Sequence, residues 1–259
     1  MSTILYDSPI YGPVMSRRLG VSLGINLIPA DGKMCTFDCI YCECGFNSSH
    51  VPRHHRPTRE QVAAALESTL KDMKAKEKQL DDISFAGNGE PTAHPQFAEI
   101  VDDTICLRNE YFPRATVSVM SNSTFISHPR VREALLRLDN NILKLDTVNP
   151  DYIEEVDRPV SKAYNVDDII HYMTLFHGNL AIQTMFMHGT IGGNDVSNLS
   201  DRYVSPWLGA LKIIRPRRIM VYTIDRETPD NQLRKATPDE LNAIRDKVQA
   251  LGIECVVGY

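Results

Sequence analysis

The sequence lacks any long apolar run and any excess of positive charge. No apolar stretch approaches the roughly 20 residues that a membrane-spanning helix needs, and the first residues carry no apolar leader segment. We therefore expect a cytoplasmic protein without a membrane span. The formal net charge of −5 disfavours a large nucleic-acid footprint, although residues 53–59 carry a local basic patch.

The sequence also lacks low-complexity segments, linkers and visible internal repeats. Its 259 residues, of which 42% are hydrophobic, suffice for one large α/β core. We therefore predict a single domain over residues 1–259, with an irregular lead-in over residues 1–20. Four residues that interrupt regular structure lie in this lead-in: Pro9, Gly12, Pro13 and Gly20. Arg17 and Arg18, also in the lead-in, are candidates for contact with an anion.

Strand-like and helix-like patterns alternate along the rest of the chain. The predicted strands are residues 21–27, 82–85, 115–120, 141–146, 180–187 and 218–223, with 254–257 as a final edge strand. Helices are expected between them, two of which begin at the capping boxes Thr58–Gln61 and Thr237–Glu240. Residues 189–193 read as a flexible turn. The alternation predicts a parallel sheet curled into a partial barrel.

Cysteines are clustered near the start of the chain. Four of the six lie within ten residues, and in a reducing compartment such a cluster indicates metal binding more often than disulfides. Cys35, Cys39 and Cys42 have the spacing C-x3-C-x2-C. Thiolates bind soft metals and iron–sulfur clusters, and three ligands leave one metal position open for catalysis. Cys44 fits this spacing less well.

A zinc site is the alternative for the same cysteines. Cys39 and Cys42 form a C-x2-C pair, and His50 and His54 follow in an H-x3-H arrangement. The gap between the two pairs is shorter than the dozen or so residues usual in zinc fingers. At this point both the iron–sulfur site and the zinc site remain open.

Polar residues follow several predicted strands, at the edge where parallel α/β folds place their chemistry. Gly87 and Gly89 permit close backbone approach to a ligand, and the carboxylate of Glu90 suits an ammonium group. The alternative is an ordinary turn between strand and helix. The candidates on later strands are Ser121, Asn122, Lys144, Asp146 and Gln183, for which the alternatives are helix capping or a satisfied place in the core.

The cysteine loop resembles that of the radical S-adenosylmethionine (SAM) enzymes. Cys35, Cys39, Tyr41 and Cys42 match their C-x3-C-x-aromatic-C motif, and residues 87–90 are similar to the glycine-rich motif that follows their second strand. The resemblance implies a (β/α)6 TIM-like partial barrel with a 4Fe–4S cluster on Cys35, Cys39 and Cys42. It also implies oxidoreductase, lyase or transferase chemistry, in which SAM is cleaved to methionine and a 5′-deoxyadenosyl radical that takes hydrogen from a substrate.

The resemblance further implies which residues contact the cofactor and what partners the protein needs. The expected SAM-binding residues are Tyr41, Gly87, Asn88, Gly89, Glu90, Ser121, Asn122 and Asp146. By strand position, the substrate pocket is expected to include Lys144, Gln183, Tyr222 and Asp225. The partner is expected to be an external one-electron donor, flavodoxin-like or ferredoxin-like, and the substrate can be a macromolecule.

Within that superfamily the chain resembles the branch related to tRNA wyosine synthases. Wyosine synthases carry a second cysteine cluster near the N-terminus, whereas this sequence has no cysteine before Cys35. The substrate therefore stays open among an RNA base, a protein or peptide, and a small molecule. The alternative functions are an activating protein for a glycyl-radical enzyme, and a non-catalytic iron–sulfur or zinc protein.

Overall fold

The computed structural model describes residues 3–16 and 19–259, so Arg17 and Arg18 lie outside the described residues. The strands are β1 (Ile10–Ser16), β2 (Gly20–Ile25), β3 (Asp82–Phe85), β4 (Thr116–Ser121), β5 (Asn140–Lys144), β6 (Ala181–Met185), β7 (Met187–Ile191), β8 (Asn194–Asp195), β9 (Arg218–Tyr222), β10 (Leu233–Lys235) and β11 (Glu254–Gly258). The α-helices are α1 (Arg59–Ala75), α2 (Phe97–Tyr111), α3 (Pro129–Leu136), α4 (Pro150–Tyr152), α5 (Val166–Thr174), α6 (Asp201–Ile214) and α7 (Pro238–Gln249). A 3-10 turn spans Pro91–Ala93, and a π-helical turn spans Ile153–Asp157.

One sheet organises the chain. Its strand order is β1-β2-β3-β4-β5-β6-β9-β11. Every neighbouring pair is parallel except β1 and β2. The sheet is curled into a half-barrel, which confirms the predicted partial barrel with a parallel sheet. No helix within the described part of the chain is long and apolar enough to cross a membrane.

The two faces of the sheet have different surroundings. Leu23 and Ile25 of β2 and Phe85 of β3 belong to a continuous hydrophobic core shared with the helices. Successive residues of a strand face opposite sides of the sheet, so Ser22 and Gly24 lie on the inner face of the half-barrel. Parallel strands buried in this way bring the loops after β2, β3, β4 and β5 to one end of the barrel.

The first helix shows how the sequence specifies this outer layer. Thr58 and Gln61 form the predicted capping box at the start of α1. Capping satisfies backbone N–H groups that would otherwise lack partners. The helix then buries one face against the sheet: Val62, Leu66, Leu70 and Met73. Full burial of each such side chain contributes about 1.5–3 kcal/mol.

The prediction of an irregular lead-in over residues 1–20 is wrong for β1, which pairs antiparallel with β2. The register between the two strands shifts between Tyr11 and Val14. Proline is tolerated at bulges and on edge strands because it removes only a donor that the ladder does not need. Pro13 lies within this shift, so the local sequence signal for irregular structure marks a bulge in a strand.

The predicted strand over residues 180–187 is divided in two. β6 ends at Met185, and β7 starts at Met187 and leaves the main sheet to pair with β8 and β10. The flexible turn predicted at residues 189–193 is therefore mostly strand, with only Gly192 and Gly193 between β7 and β8. Met187 and Leu233 of this second, three-stranded sheet belong to a small hydrophobic cluster, together with Val196 just after β8. The cluster also contains Ile40 and Tyr41 of the cysteine loop.

Candidate active site

The cysteine loop follows β2 at the carboxyl end of the parallel strands. Cys35, Cys39 and Cys42 are free cysteines, and each of these residues is partly exposed. Burial of the sulfur raises the pKa of Cys35 to about 12 and raises that of Cys39. A hydrogen bond from Cys44, aided by the charge of Lys33, instead lowers the pKa of Cys42 to about 6. Loading a metal centre must therefore release protons from at least two of the thiols.

Lys33 supplies positive charge to this loop. Its side chain is buried, and its ammonium group donates to the carbonyl oxygen of Gly45 at 2.5 Å and to Asp38 at 3.4 Å. Burial acts to lower the pKa of Lys33, but the neighbouring cysteines and Asp38 outweigh this effect and raise it. A buried cation beside three thiols favours their thiolate forms, as an anionic ligand set requires. Sequence reasoning missed Lys33, although it lies two positions before Cys35.

The glycine-rich loop after β3 packs directly on the cysteine loop. The Met34 amide donates to the Asn88 carbonyl at 3.0 Å, and the Glu90 amide donates to the Met34 carbonyl at 3.2 Å. A Cβ atom on Gly89 would lie 1.9 Å from the Met34 carbonyl oxygen. Glycine is required here because two loops of the protein meet, and contact of Gly87 and Gly89 with a ligand remains a prediction.

Asn88 is held by neighbouring backbone. Its side-chain oxygen accepts from the Tyr6 amide at 2.7 Å. Its side-chain nitrogen donates to the carbonyl oxygens of Tyr6 at 3.0 Å and Pro29 at 3.1 Å. The Asn88 side chain thus ties the N-terminal segment to the site. Its backbone amide donates to the Asn26 side chain at 3.2 Å, and contact of Asn88 with a ligand remains a prediction.

Glu90 joins the ends of β3 and β4. Its carboxylate accepts hydrogen bonds from the Thr92 amide at 3.0 Å, the Ser121 hydroxyl at 2.9 Å and the Asn122 amide at 2.6 Å. Burial raises its pKa, against the effect of these donors. Glu90 therefore fixes the turn that carries Ser121 and Asn122.

Asn122 in turn reaches the cysteine loop. Its side-chain nitrogen donates to the Thr36 hydroxyl at 2.7 Å and lies 3.5 Å from the Cys35 sulfur. An N–H group directed at a thiolate tunes and orients a metal ligand. The motifs after β2, β3 and β4 are therefore brought together in one bonded unit.

A second polar group surrounds Lys144 on β5. Its ammonium donates to Asp157 at 2.8 Å and contacts Asp146 and the Tyr41 hydroxyl. Burial opposes this charge, but the two carboxylates outweigh it and raise the pKa of Lys144 well above normal. Burial raises the pKa of Asp157 to about 6, although the positive charge of Lys144 acts to lower it. We call Lys144, Asp146, Asp157 and Tyr41 the Lys144 cage. Asp157 was not among the predicted site residues, because a π-helical turn carries no distinctive sequence pattern.

The cage fixes two predicted SAM-binding residues. The Tyr41 hydroxyl donates to one carboxylate oxygen of Asp146, and the Met185 amide donates to the other at 2.9 Å. The ring of Tyr41 also lies 5.0 Å from the ammonium of Lys144. Tyr41 is thereby fixed between the cysteine loop and β5, and its contact with adenine remains a prediction.

The four residues predicted for the substrate pocket do not all share one place. Gln183 is opposite Lys144 across β5 and β6, and Tyr222 is opposite Met185 across β6 and β9. Lys144, Gln183 and Tyr222 therefore lie on the inner face of the sheet. Asp225 is exposed in the loop after β9, where it lies 3.9 Å from Lys235.

The zinc-binding set proposed from the sequence is not assembled. His50 hydrogen bonds to the Thr3 hydroxyl at 2.7 Å, and His54 pairs with Asp31 at 2.9 Å. The histidines of the rival site are engaged elsewhere.

Comparison with known sequences decides the family. The sequence profile of the Radical SAM superfamily matches residues 31–198, which contain the cysteine loop, the glycine-rich loop and the cage. The chain belongs to the radical SAM superfamily. It is therefore a radical SAM enzyme, and the cofactors of this superfamily are a 4Fe–4S cluster and SAM.

Individual relatives agree with this assignment. A UPF0026 protein of Helicobacter pylori is 28% identical over 235 residues, covering 90% of this chain and 71% of the relative. A radical SAM methyltransferase from Sphaerobacter thermophilus superimposes with a TM-score of 0.65 at 15% identity, covering 91% of this chain and 65% of that protein. The structure of TYW1 with a lysine-pyruvate adduct bound gives a TM-score of 0.61 at 14% identity, covering 88% of this chain and 73% of that protein. These two structural likenesses show the fold, and the relation to the wyosine-synthase branch remains a prediction.

The residues of the radical SAM enzyme fit the expected cofactors. The donor set is three thiols on one loop, next to a buried ammonium, and thiolates are the ligands that iron–sulfur clusters require. Cys44 is buried, and its sulfur lies 3.6 Å from the Gly87 carbonyl oxygen. Cys44 thus faces the glycine-rich loop.

Proposed function

We propose that Cys35, Cys39 and Cys42 hold a 4Fe–4S cluster and that the enzyme uses it to start radical chemistry on a substrate inside the half-barrel. When bound, the cluster supplies the electron that cleaves SAM to methionine and a 5′-deoxyadenosyl radical, which abstracts hydrogen from substrate. The observation that carries this proposal is the bonded unit of the three motif loops at one end of the parallel sheet.

The protein's own residues hold this site in place. Lys33 offsets the negative charge of the thiolates, and Asn122 orients the Cys35 sulfur. Glu90 fixes the turn of Asn122. The Lys144 cage fixes Tyr41 on the far side of the loop. The contacts of Asn122, of Glu90 and of the cage each join loops or strands that are distant in the sequence, so they hold the site in place before any cofactor arrives.

Substrate enters, in this proposal, from the open side of the sheet between β1 and β11. Tyr11 lies on the inner face there, because a Cβ atom on Gly24 would fall 2.0 Å from its ring. The Tyr6 ring packs 4.5 Å from that of Tyr11, and its hydroxyl accepts from Arg226 at 3.1 Å. Aromatic side chains and one guanidinium thus border the entrance.

Cluster content tests the ligand assignment. After anaerobic reconstitution, Cys35→Ala, Cys39→Ala and Cys42→Ala are each expected to lose the cluster, since each removes one of three thiolate ligands. Iron and sulfide content, together with electron paramagnetic resonance of the reduced protein, measure this. Cys44→Ala and the surface variant Cys106→Ala are the controls and should retain the cluster; loss in Cys44→Ala alone would refute the assignment.

SAM affinity tests the role of Glu90. Glu90→Ala is expected to weaken SAM binding about ten- to a hundredfold, because losing a charge-assisted hydrogen bond costs roughly 1.5–3 kcal/mol. The isosteric Glu90→Gln, which keeps one acceptor oxygen, should bind more tightly than Glu90→Ala. Calorimetric titration of cluster-loaded protein with SAM measures both, and undiminished affinity in Glu90→Ala contradicts the role.

The reaction itself is tested with a chemical reductant. Dithionite-reduced, cluster-loaded protein is expected to release 5′-deoxyadenosine and methionine slowly when no substrate is added. A bound substrate normally completes such a site and excludes water from it. Chromatography of the products measures the release. Protein with a full cluster that never cleaves SAM under any reductant defeats the enzymatic proposal.

A further inference from the structure

Lys33 is a buried cation at the start of the cysteine loop. Its side chain is 1% exposed, although lysine is almost never fully buried unless it is paired. Its ammonium group donates to the Gly45 carbonyl oxygen at 2.5 Å and lies within hydrogen-bonding reach of the Cys42 sulfur. Lys33 therefore joins the two ends of the loop and brings an N–H donor to one of the proposed cluster ligands.

The charge of Lys33 is only loosely matched by a carboxylate. In the part of the chain that the structure describes, its ion-pair partner is Asp38, at 3.4 Å, and the Asp38 side chain is 26% exposed. The same carboxylate oxygen accepts a closer hydrogen bond from the Asn47 amide, at 2.7 Å. An ion pair that is long and partly solvated cancels less charge than a close buried pair. Much of the positive charge of Lys33 therefore acts on the thiolates.

Lys144 gives the contrast within the same site. Its ammonium group is also buried, but it pairs with two buried carboxylates, those of Asp146 and Asp157. Two carboxylates that are this close balance the ammonium charge completely, so Lys144 fixes Tyr41 without adding net positive charge to the site. Of these two buried ammonium groups, Lys33 is the one with charge left to act on a cluster.

Charge and hydrogen bonding at the ligand sulfurs control how easily an iron–sulfur cluster is reduced. Reduction adds one negative charge to the cluster. A buried cation stabilises the more negative, reduced form more than the oxidised form, because charges interact strongly where water is excluded. An N–H group directed at a ligand sulfur acts in the same direction. Both effects of Lys33 therefore favour the reduced cluster.

We propose that Lys33 sets the reduction potential of the cluster, acting through the Cys42 sulfur. It is a positioning residue, since it contacts a proposed ligand and not the reacting atoms. The inference rests on the proposed function, because the potential exists only if the three cysteines hold a cluster. The step is balanced by one electron: an external donor loses it, the cluster gains it, no bond forms or breaks, and Lys33 keeps its proton.

Two variants of opposite sign test this role. Lys33→Gln removes the charge and keeps a side chain that can still donate a hydrogen bond. Asp38→Asn removes the carboxylate that partly offsets Lys33 and keeps an oxygen that can accept from the Asn47 amide. Lys212→Gln, on the exposed surface at the end of α6, is the matched control for loss of a lysine charge.

The midpoint potential of reconstituted protein, without SAM, is the first measurement, from a redox titration followed by electron paramagnetic resonance. Reduction of Lys33→Gln is expected to be about tenfold less favourable, which lowers the midpoint by about 59 mV for a one-electron couple. Asp38→Asn should raise the midpoint, and Lys212→Gln should match the wild type. An unchanged potential in Lys33→Gln overturns the proposal.

The sign of the Asp38→Asn shift separates charge from loop damage. Variants that only loosen the loop would shift the potential in the same direction, whereas removal of opposite charges shifts it in opposite directions. If iron analysis shows that Lys33→Gln holds no full cluster, Asp38→Asn decides: a raised midpoint supports the proposal, and an unchanged or lowered one overturns it.

SAM cleavage at a controlled potential is the second measurement. In solution poised at the wild-type midpoint, a tenfold less favourable reduction leaves about one eleventh of the Lys33→Gln cluster reduced instead of half, so cleavage should be about fivefold slower. Excess titanium(III) citrate, a stronger reductant, should restore the wild-type rate. Equal slowing under both conditions overturns the proposal by showing damage to the site. Wild-type protein that assembles no cluster refutes the proposed function, whereas a full cluster with the same potential in Lys33→Gln refutes only the role of Lys33.

Discussion

Buried carboxylates occur at both ends of the barrel interior, and the protein satisfies them in two different ways. Near the amino ends of the strands, Asp82 is fully buried on the inner face. Four hydroxyl groups donate to its carboxylate, from Ser22, Ser84, Thr116 and Ser118. No cation joins this cluster within the described chain. Burial raises the pKa of Asp82 although the four hydroxyls oppose the change.

At the carboxyl ends, the Lys144 cage satisfies two carboxylates with a cation. Lys144 pairs with both Asp146 and Asp157. The comparison teaches that hydroxyls supply hydrogen bonds but no compensating positive charge, whereas Lys144 supplies both to Asp146 and Asp157. The cage fixes an ion triad beside the cysteine loop, where the chemistry is expected, whereas the Asp82 cluster lies at the opposite end and serves packing.

Removing the cation should give the largest effect. Lys144→Met leaves Asp146 and Asp157 buried without a positive charge, and breaking a buried ion pair in this way costs roughly 3–5 kcal/mol. The free energy of unfolding, from urea titration of cluster-free protein, measures this. Lys144→Met with Asp157→Asn should recover part of the loss because one uncompensated charge is gone. A loss below that of Asp82→Ala would contradict the distinction between the two ends.

Removing the carboxylate of Asp82, near the amino ends of the strands, should have a smaller effect on the free energy of unfolding. Asp82→Ala takes the shared acceptor from four hydroxyls, and leaving buried donors unsatisfied costs about 1–3 kcal/mol. The hydroxyls can partly compensate by donating to one another. Urea titration measures the change, while iron content and SAM cleavage should remain at the wild-type level. Loss of the cluster in Asp82→Ala would show that this cluster also supports the site.

The smallest effect should be a dependence on pH. Asp82 has a pKa raised by burial, so the native state keeps its proton at pH values where the unfolded chain has already lost it. Below the unfolded pKa of about 4 the stabilising contribution is complete, and it is lost as pH rises through the higher folded pKa. Asp82→Asn cannot ionise, so its stability relative to wild type should improve as pH rises from about 4 to neutral. Urea titrations across that range measure this; a constant difference would contradict it.

Local patterns predicted much of this molecule. The capping residues Thr58 and Thr237 act within four positions of themselves, and both capping boxes are present. The alternation of strands and helices predicted the parallel sheet because apolar periodicity reports which face is buried. The spacing of Cys35, Cys39 and Cys42 identified the superfamily because one short loop contains the whole motif.

The tertiary structure alone decided the contacts between distant segments. Asp157 joins Lys144 across 13 positions through a π-helical turn, and Asn122 reaches Cys35 across 87 positions. Gly89 is required by the carbonyl of Met34, a clash that only the folded backbone creates. A short sequence window specifies backbone preference and buried faces, whereas the pairing of distant polar groups depends on how the loops converge at one end of the sheet.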